Sequence, residues 1–200
     1  EQEAENKEVD MAPAPILDIL NQVAQLCQTK AQAKHVDIQI RGPDGLQVHV
    51  NRRLIEQAVV NLVDNAIKYS DPGKTVHIEA RTSGREVTIA VRDTGCGIDR
   101  EHLSRLFERF YRVDKARSRE QGGTGLGLAI AYSIISAHHG VINLYSEPGV
   151  GSSFNIYMPV LRESDIYKHK SEPKVKILHG EGTVLVADDG RLQLAGRVDR

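Results

Sequence analysis

The segment from Arg52 to Lys68 carries a broad apolar stripe, and this stripe constrains the fold more than any other feature of the sequence. Its apolar residues recur three or four positions apart, which places them on one face of an α-helix. A stripe of this width is typical of a helix that packs against a sheet. The turn residues SDPG follow and predict the end of the helix. The stripe consists of Leu54, Ile55, Ala58, Val59, Leu62, Val63, Ala66 and Ile67.

Short segments of alternating apolar residues predict the sheet. Residues 76–80 alternate on one side of TSGRE and residues 87–91 on the other, which predicts an antiparallel hairpin. We therefore expect an α/β (α+β) two-layer sandwich, in which helices cover one face of a mixed, largely antiparallel sheet. Further strands are predicted at 36–40, 46–50, 141–145 and 154–158, and further helices at 16–27 and 126–139.

Changes in composition divide the chain into three parts. Residues 1–15 are predicted to be an acidic linker or tail, residues 16–160 one domain, and residues 161–200 a linker with an unassigned tail. In the tail, TVLVADDGRLQLAG is compatible with a hairpin around Asp189 and Gly190. Its VLVADD also looks like the first strand and acidic pair of a response-regulator receiver domain, and the tail could be foreign sequence.

The balance of charges limits the possible partners. The chain has 26 basic and 27 acidic residues and a net charge of −1, which disfavours nucleic acid and membrane contact. The sequence has no apolar run of the ~20 residues that a membrane span needs, and its first residues lack a signal-peptide pattern. The two cysteines are too few for a disulfide framework. We expect a soluble chain in the cytoplasm.

The segment NLVDNAIKYS places polar side chains on one face of the predicted helix. Asn61, Asn65 and Lys68 are four and three positions apart, so two amides and an ammonium share that face. Neutral oxygens and one cation suit a Mg²⁺–triphosphate, because Mg²⁺ keeps water and phosphate ligands and needs few oxygens from the protein. The alternative is a solvated helix face.

The segment RDTGCGI follows a predicted strand. Asp93 can accept a hydrogen bond from an exocyclic amine, while Gly95 and Gly97 allow the backbone to approach a flat base closely. This pattern also describes an ordinary turn from a strand to a helix.

The segment QGGTGLGLAI leads directly into a helix. Backbone amides there can point into one concavity at the helix N-terminus, where an anion is favoured. The segment lacks the Gly-Lys-Ser/Thr of a P-loop and the surroundings of a dinucleotide-binding fingerprint, and a flexible hinge is the alternative. The amides belong to Gly123, Thr124, Gly125, Leu126 and Gly127.

Taken together with LFERFYR, these segments resemble the N, G1, F and G2 boxes of the ATP-binding catalytic domain of bacterial two-component sensor histidine kinases. The resemblance covers about residues 16–160. It implies a flexible ATP lid, in which Phe107 and Phe110 are anchors and Arg109 reaches the nucleotide or a partner domain. It implies ATP and Mg²⁺ as cofactors, with Mg²⁺ on Asn65.

The remaining site residues take their roles from the same resemblance. Asn61 supports the triphosphate, Lys68 contacts phosphate, and Tyr69 flanks the nucleotide. Asp93 receives the adenine amino group, and Gly95 and Gly97 shape its pocket. The stretch formed by Gly123, Thr124, Gly125, Leu126 and Gly127 closes over the phosphates.

The same fold occurs in the ATPases of type II topoisomerases and MutL proteins, where a glutamate one helical turn before the metal-binding asparagine activates water. Here Asn61 has that position, and an amide is not a general base near neutral pH. Transfer of the γ-phosphoryl group is therefore favoured over hydrolysis. The alternatives are a self-contained ATPase and a non-catalytic nucleotide-binding docking module.

The histidine that would accept the phosphoryl group is not evident in the chain. In the family this histidine is usually followed by Glu or Asp, and no histidine here is. We therefore expect a monomeric catalytic fragment of a homodimeric, possibly membrane-anchored kinase, whose partners are a histidine-bearing dimerisation domain and a response regulator. For the pair His138 and His139, at a predicted helix end, we expect a structural role facing the helix dipole.

Overall fold

A computed structural model describes residues 10–113 and 124–159, together with the backbone of residues 183–188 and 191–197. The strands are β1 (Ala12–Pro15), β2 (Asp37–Arg41), β3 (Gln47–Val50), β4 (Thr75–Ser83), β5 (Glu86–Asp93), β6 (Val141–Glu147), β7 (Gly151–Pro159), β8 (Thr183–Asp188) and β9 (Arg191–Arg197). The helices are α1 (Ile16–Ala33), α2 (Arg52–Tyr69), α3 (Arg100–Leu103) and α4 (Gly127–Ala137).

The main sheet has seven strands in the order β2-β4-β5-β7-β6-β8-β9. Strands β2 and β4 are parallel, and the other neighbours are antiparallel. The predicted mixed, largely antiparallel sheet with helices is therefore confirmed. Within the described residues, no helix is both long and apolar enough to cross a membrane.

The core lies between the sheet and the layer formed by α1, α2 and α4. In the register of the ladders, apolar residues of neighbouring strands stand opposite each other, for example Ile89 opposite Ile156 and Val91 opposite Phe154. Alternate residues of β4, β5, β6 and β7 therefore point into one buried cluster with the apolar stripe of α2. This burial fixes the rotation of α2 and leaves its polar face free to line a site.

Polar residues on either side of helix α2 form hydrogen bonds with the free backbone groups at its two ends. Asn51 is its N-cap, and the side chain accepts a hydrogen bond from the Leu54 N–H at 3.1 Å. At the other end, the Ser70 hydroxyl donates to the carbonyl of Ala66 at 2.7 Å. Together these bonds set the length of the helix that carries the predicted phosphate-binding face.

One feature differs from the sequence expectations, and a second concerns a segment for which they left alternatives open. Ala12–Pro15, assigned to the tail, forms β1, which pairs antiparallel with β3 in a separate two-stranded sheet. The repeated prolines of this strand show no apolar alternation, so the pattern gave no signal. In the predicted tail, β8 and β9 form an antiparallel pair on either side of residues 189–190, as in the hairpin alternative. Strand β8 also pairs with β6 and so continues the main sheet.

Candidate functional site

The polar face of α2 forms one wall of the site. Asn61, Asn65 and Lys68 are all partly exposed, while their apolar neighbours are buried. Burial, followed by the charges of Arg112 and Lys34, lowers the pKa of Lys68. Its ammonium lies 5.2 Å from the centre of the Tyr69 ring, which is a cation–π contact. The predicted polar face is therefore present, and three cations lie near its C-terminal end.

The amide of Asn61 meets the start of α4. A Cβ placed on Gly127 would lie 3.6 Å from Asn61 Oδ1, so the first turn of α4 lies beside the predicted phosphate-binding face. Asn61 Nδ2 is buried and has no hydrogen-bond partner among the described residues. A buried amide donor without a partner is costly, and an anion placed at this junction would satisfy it.

The carboxyl group of Asp93 marks the second wall, at the end of β5. Asp93 is only 8% exposed, and its Oδ1 accepts hydrogen bonds from the N–H groups of Gly95 at 2.9 Å and Ser152 at 3.3 Å. Burial raises the pKa of this carboxyl group, and the two N–H groups oppose the change. A fixed, buried acceptor of this kind suits recognition of a single donor group.

The loop after Asp93 passes between two backbone segments with no room for side chains. A Cβ on Gly95 would lie 2.1 Å from the carbonyl oxygen of Tyr69, and a Cβ on Gly97 would lie 2.0 Å from that of Glu147. Gly97 also has a positive φ of 68°. Both glycines are therefore required by close backbone contacts.

Three stretches far apart in the sequence thus meet beyond the C-terminal end of the interior strand β5. They are the polar face of α2, the loop after Asp93 and the start of α4. The family described as histidine kinase-, DNA gyrase B- and HSP90-like ATPase matches residues 50–162, which is more than half of the chain. The chain belongs to this ATPase family. It is therefore an ATP-binding domain, and the predicted family is confirmed.

Relatives of this ATPase domain include sensor kinases. The sensor-like histidine kinase SenX3 of Mycolicibacterium smegmatis is 39% identical over 163 residues, which cover 82% of this chain and 42% of the relative. The chain thus spans less than half the length of that curated relative.

Solved structures show the same fold. Full-length ShkA in complex with AMPPNP superposes with a TM-score of 0.67 at 30% identity, over 76% of this chain and 31% of ShkA. The nucleotide-free catalytic domain of histidine kinase ThkA superposes with a TM-score of 0.66 at 25% identity, over 75% of this chain and 95% of that domain.

The predicted lid of the ATPase domain is described only at its base. Phe107 is 9% exposed, and its ring centre lies 5.7 Å from that of Tyr132 in α4. Phe110 instead is 69% exposed, so its side chain is not an anchor in this structure. Arg109 is also exposed, and Gly123 lies outside the described residues.

The backbone of Phe110 closes the base of the lid against the glycine-rich stretch. The Phe110 N–H donates to the Gly125 carbonyl at 2.9 Å. Gly125 has a φ of 74°, and a Cβ there would lie 2.8 Å from the Phe110 carbonyl carbon. Thr124 is exposed and Leu126 half-buried. The F and G2 stretches therefore meet through backbone contacts.

Sequence reasoning missed the turn between β6 and β7, which supports the loop after Asp93. The Ser146 hydroxyl accepts from the Ile98 N–H at 2.9 Å and lies 2.9 Å from the Ser152 hydroxyl. On the same turn, the Gly149 N–H donates to the Cys96 carbonyl at 2.8 Å. The sequence predicted that SEPGVGS connects two strands, but it did not show that the serines and glycines of this segment support the loop after Asp93.

Helix α1 and Lys34, which follows its last residue, also contribute contacts that sequence reasoning missed. The ammonium of Lys30 pairs with the Asp64 carboxylate, and that of Lys34 donates to the carbonyl of Lys68. Burial, followed by the nearby Asp64, raises the pKa of the Cys27 thiol to about 12. These contacts turn Asp64 toward α1 and fasten the end of α2 that carries Asn65 and Lys68.

Proposed function

We propose that this chain binds ATP with Mg²⁺ and forms the catalytic part of a sensor histidine kinase. The named relative is a sensor-like histidine kinase, and the fold brings together the polar face of α2, the buried carboxyl group of Asp93 and the glycine-rich start of α4. A kinase is favoured over a hydrolase because the acidic side chains of α2 are paired with basic side chains.

Both acidic side chains of α2 are engaged by basic groups. Glu56 pairs with Arg52 at 2.7 Å, and Asp64 pairs with Lys30 on the side facing α1. At the position of the hydrolase glutamate stands Asn61, whose amide is not a base near neutral pH. The wall beside α4 therefore has no side chain of α2 that could activate water, and bound ATP persists until another nucleophile arrives.

The residues at the site fit the nucleotide in the following way. Asn65 provides an oxygen ligand for Mg²⁺, which neutralises phosphate charge when it is bound. The unpartnered amide of Asn61 donates toward the phosphates, and Asp93 accepts from the adenine amino group. The other proposed contacts are the ammonium of Lys68, the ring of Tyr69, the pocket at Gly95 and Gly97, and the backbone of Gly123, Thr124, Gly125, Leu126 and Gly127.

The reaction proposed for the whole protein is phosphoryl transfer. A ring nitrogen of a histidine on a separate domain forms a bond to the γ-phosphorus, and the bond from that phosphorus to the bridging oxygen breaks, which releases ADP. The side chains of this chain orient the phosphates and exclude water. The proposed partners are a histidine-bearing dimerisation domain within a cytoplasmic homodimer and a response regulator that receives the phosphoryl group; this chain alone is proposed to be a monomer.

Calorimetry of ATP binding with Mg²⁺ tests the site, and phosphate release measured on the same samples tests the reaction class. The wild-type chain is expected to bind ATP and to release phosphate very slowly, while Asn65→Ala and Asp93→Ala lose binding. Asp44→Ala, an exposed substitution in the turn between β2 and β3, is the matched control and is expected to bind as the wild type does. Rapid phosphate release would contradict the kinase assignment, and unchanged binding in both site variants would contradict the site.

A further inference from the structure

His138, at the end of α4, joins the two helices that carry the proposed nucleotide site. The ring is buried, with 3% exposure, and both of its nitrogens are used. Nδ1 lies 2.7 Å from the Ile134 carbonyl oxygen, and the Asn51 N–H donates to Nε2 at 3.0 Å. Since a carbonyl only accepts and an N–H only donates, the ring is neutral with its proton on Nδ1. Burial lowers the pKa of His138, in agreement with a neutral ring.

The bond from Asn51 completes the N-terminal cap of α2. In a capping box, the side chain at the third helical position accepts from the N-cap N–H. Here that position is Leu54, whose side chain has no acceptor atom. Only the other half of the capping box is present, in which the Leu54 N–H donates to the Asn51 side chain. His138 supplies the missing acceptor from another helix, 87 positions away in the sequence. This role differs from the dipole-facing role expected from the sequence.

The same two helices touch again at the proposed phosphate site. Gly127 begins α4 beside Asn61, whereas His138 ends α4 beside Asn51, so the helices run antiparallel. The distance along α2 between its two contacts is about 15 Å, and that along α4 is about 16 Å. Because these lengths match, the bond at one end determines where the other end of α4 lies against α2.

We propose that His138 is a positioning residue for nucleotide binding, because its bond to the Asn51 N–H sets the register of the glycine-rich helix start against Asn61. The inference rests on the proposed function, because the effect of His138 is measured as a change in ATP affinity. His138 touches no nucleotide and acts through α4.

Two conservative variants separate the nitrogens of the ring. In His138→Gln the amide oxygen lies near the position of Nε2 and keeps an acceptor for Asn51. In His138→Asn the amide lies near the position of Nδ1, so the bond to Ile134 can persist while the Asn51 N–H loses its acceptor. His139→Asn is the matched control, since His139 is exposed and asparagine tolerates its positive φ of 55°.

Leu54→Gln separates register from stability. A glutamine at this position can accept from the Asn51 N–H within α2, which restores the cap without any link to α4. Leu54 also packs against the core, so Leu54→Gln alone is the reference for the effect of adding His138→Asn. If His138 only caps, adding His138→Asn to Leu54→Gln lowers neither the melting temperature nor the ATP affinity further. If His138 sets the register, the added substitution leaves the melting temperature of Leu54→Gln unchanged and still weakens ATP binding.

The experiment measures ATP affinity with Mg²⁺ by calorimetry, melting temperature, and the ring ¹⁵N spectrum of the wild-type chain. We expect the proton on Nδ1, an affinity about three- to tenfold weaker in His138→Asn, and an affinity within about twofold of wild type in His138→Gln and His139→Asn. A proton on Nε2, or equal affinity in the Asn and Gln variants, overturns the inference alone. Failure of the wild type to bind ATP overturns the proposed function itself.

Discussion

Replacing Gly95 with alanine is predicted to damage the nucleotide site more than the fold. The new Cβ would lie 2.1 Å from the Tyr69 carbonyl oxygen and 3.0 Å from Asp93 Oδ1. The carbonyl belongs to the last residue of α2 and cannot rotate away, so the loop after Asp93 must move by about 1 Å. Such overpacking costs about 1–3 kcal/mol of the free energy of unfolding.

The displacement also breaks the hydrogen bond from the Gly95 N–H to the Asp93 carboxylate, which is 2.9 Å long in the structure. Hydrogen bonds to charged groups are worth about 1.5–3 kcal/mol, so we expect ATP affinity to fall by a factor of about 10 to 100 in Gly95→Ala. Chemical denaturation measures the stability of the variant, and calorimetry with ATP and Mg²⁺ measures its affinity.

Gly84→Ala is the matched control for this prediction. Gly84 has a φ of 61°, and a Cβ placed on it would have no atom within 4 Å, so the substitution costs backbone strain of about 1–2 kcal/mol without a clash. It lies in the turn before β5, at the opposite end of that strand from Asp93. Equal ATP affinities in the two variants, at similar losses of stability, would refute the argument for the loop.

Three further predictions concern the surroundings of the loop and the two thiols. Ser146→Ala leaves the Ile98 N–H without its acceptor and should weaken ATP binding severalfold in calorimetry, whereas Ser146→Thr keeps the hydroxyl and should not. Asp93 has a raised pKa in the folded state, which disfavours folding above that pKa. Asp93→Asn should therefore raise the free energy of unfolding at pH 7 while abolishing ATP binding. In denaturation curves, the difference in stability from the wild type should vanish as the pH falls below the pKa that Asp93 has in the unfolded chain. A loss of stability at pH 7 would contradict this. A thiol reagent should modify the exposed Cys96 and spare the buried Cys27, whose pKa is raised to about 12. Mass spectrometry of the native chain measures this, and rapid modification of Cys27 would contradict its burial.

The elements were predictable wherever a local period determines them. The stripe of α2 and the alternation on both sides of TSGRE produced a helix at Arg52–Tyr69 and a hairpin of β4 and β5. Strand pairing was not predictable in the same way: β2 lies parallel to β4, and β3 pairs with β1, although 36–40 and 46–50 are adjacent in the sequence. Such pairing depends on which faces are buried together, and no local pattern reports it.

The site was predictable as a set of segments but not as a set of contacts. The glycines of DTGCG were visible in the sequence, yet the atoms that exclude a Cβ belong to Tyr69 and Glu147. The bond between Ile98 and Ser146 spans 48 positions, and that between Asn51 and His138 spans 87. A single sequence contains no period over such distances, so these supporting residues appear only once the chain is folded.

Transfer of the γ-phosphoryl group from labelled ATP to a histidine is the decisive test of the proposed kinase activity. The chain is mixed with ATP, Mg²⁺ and the proposed histidine-bearing dimerisation domain, supplied as a separate protein, and label on that domain and in free phosphate is followed together. We expect acid-labile label on the domain, its loss when Asn65→Ala replaces the wild-type chain, and little free phosphate when the domain is left out. Rapid release of free phosphate without the domain, and no label when the domain is present, would rule out the proposed kinase activity.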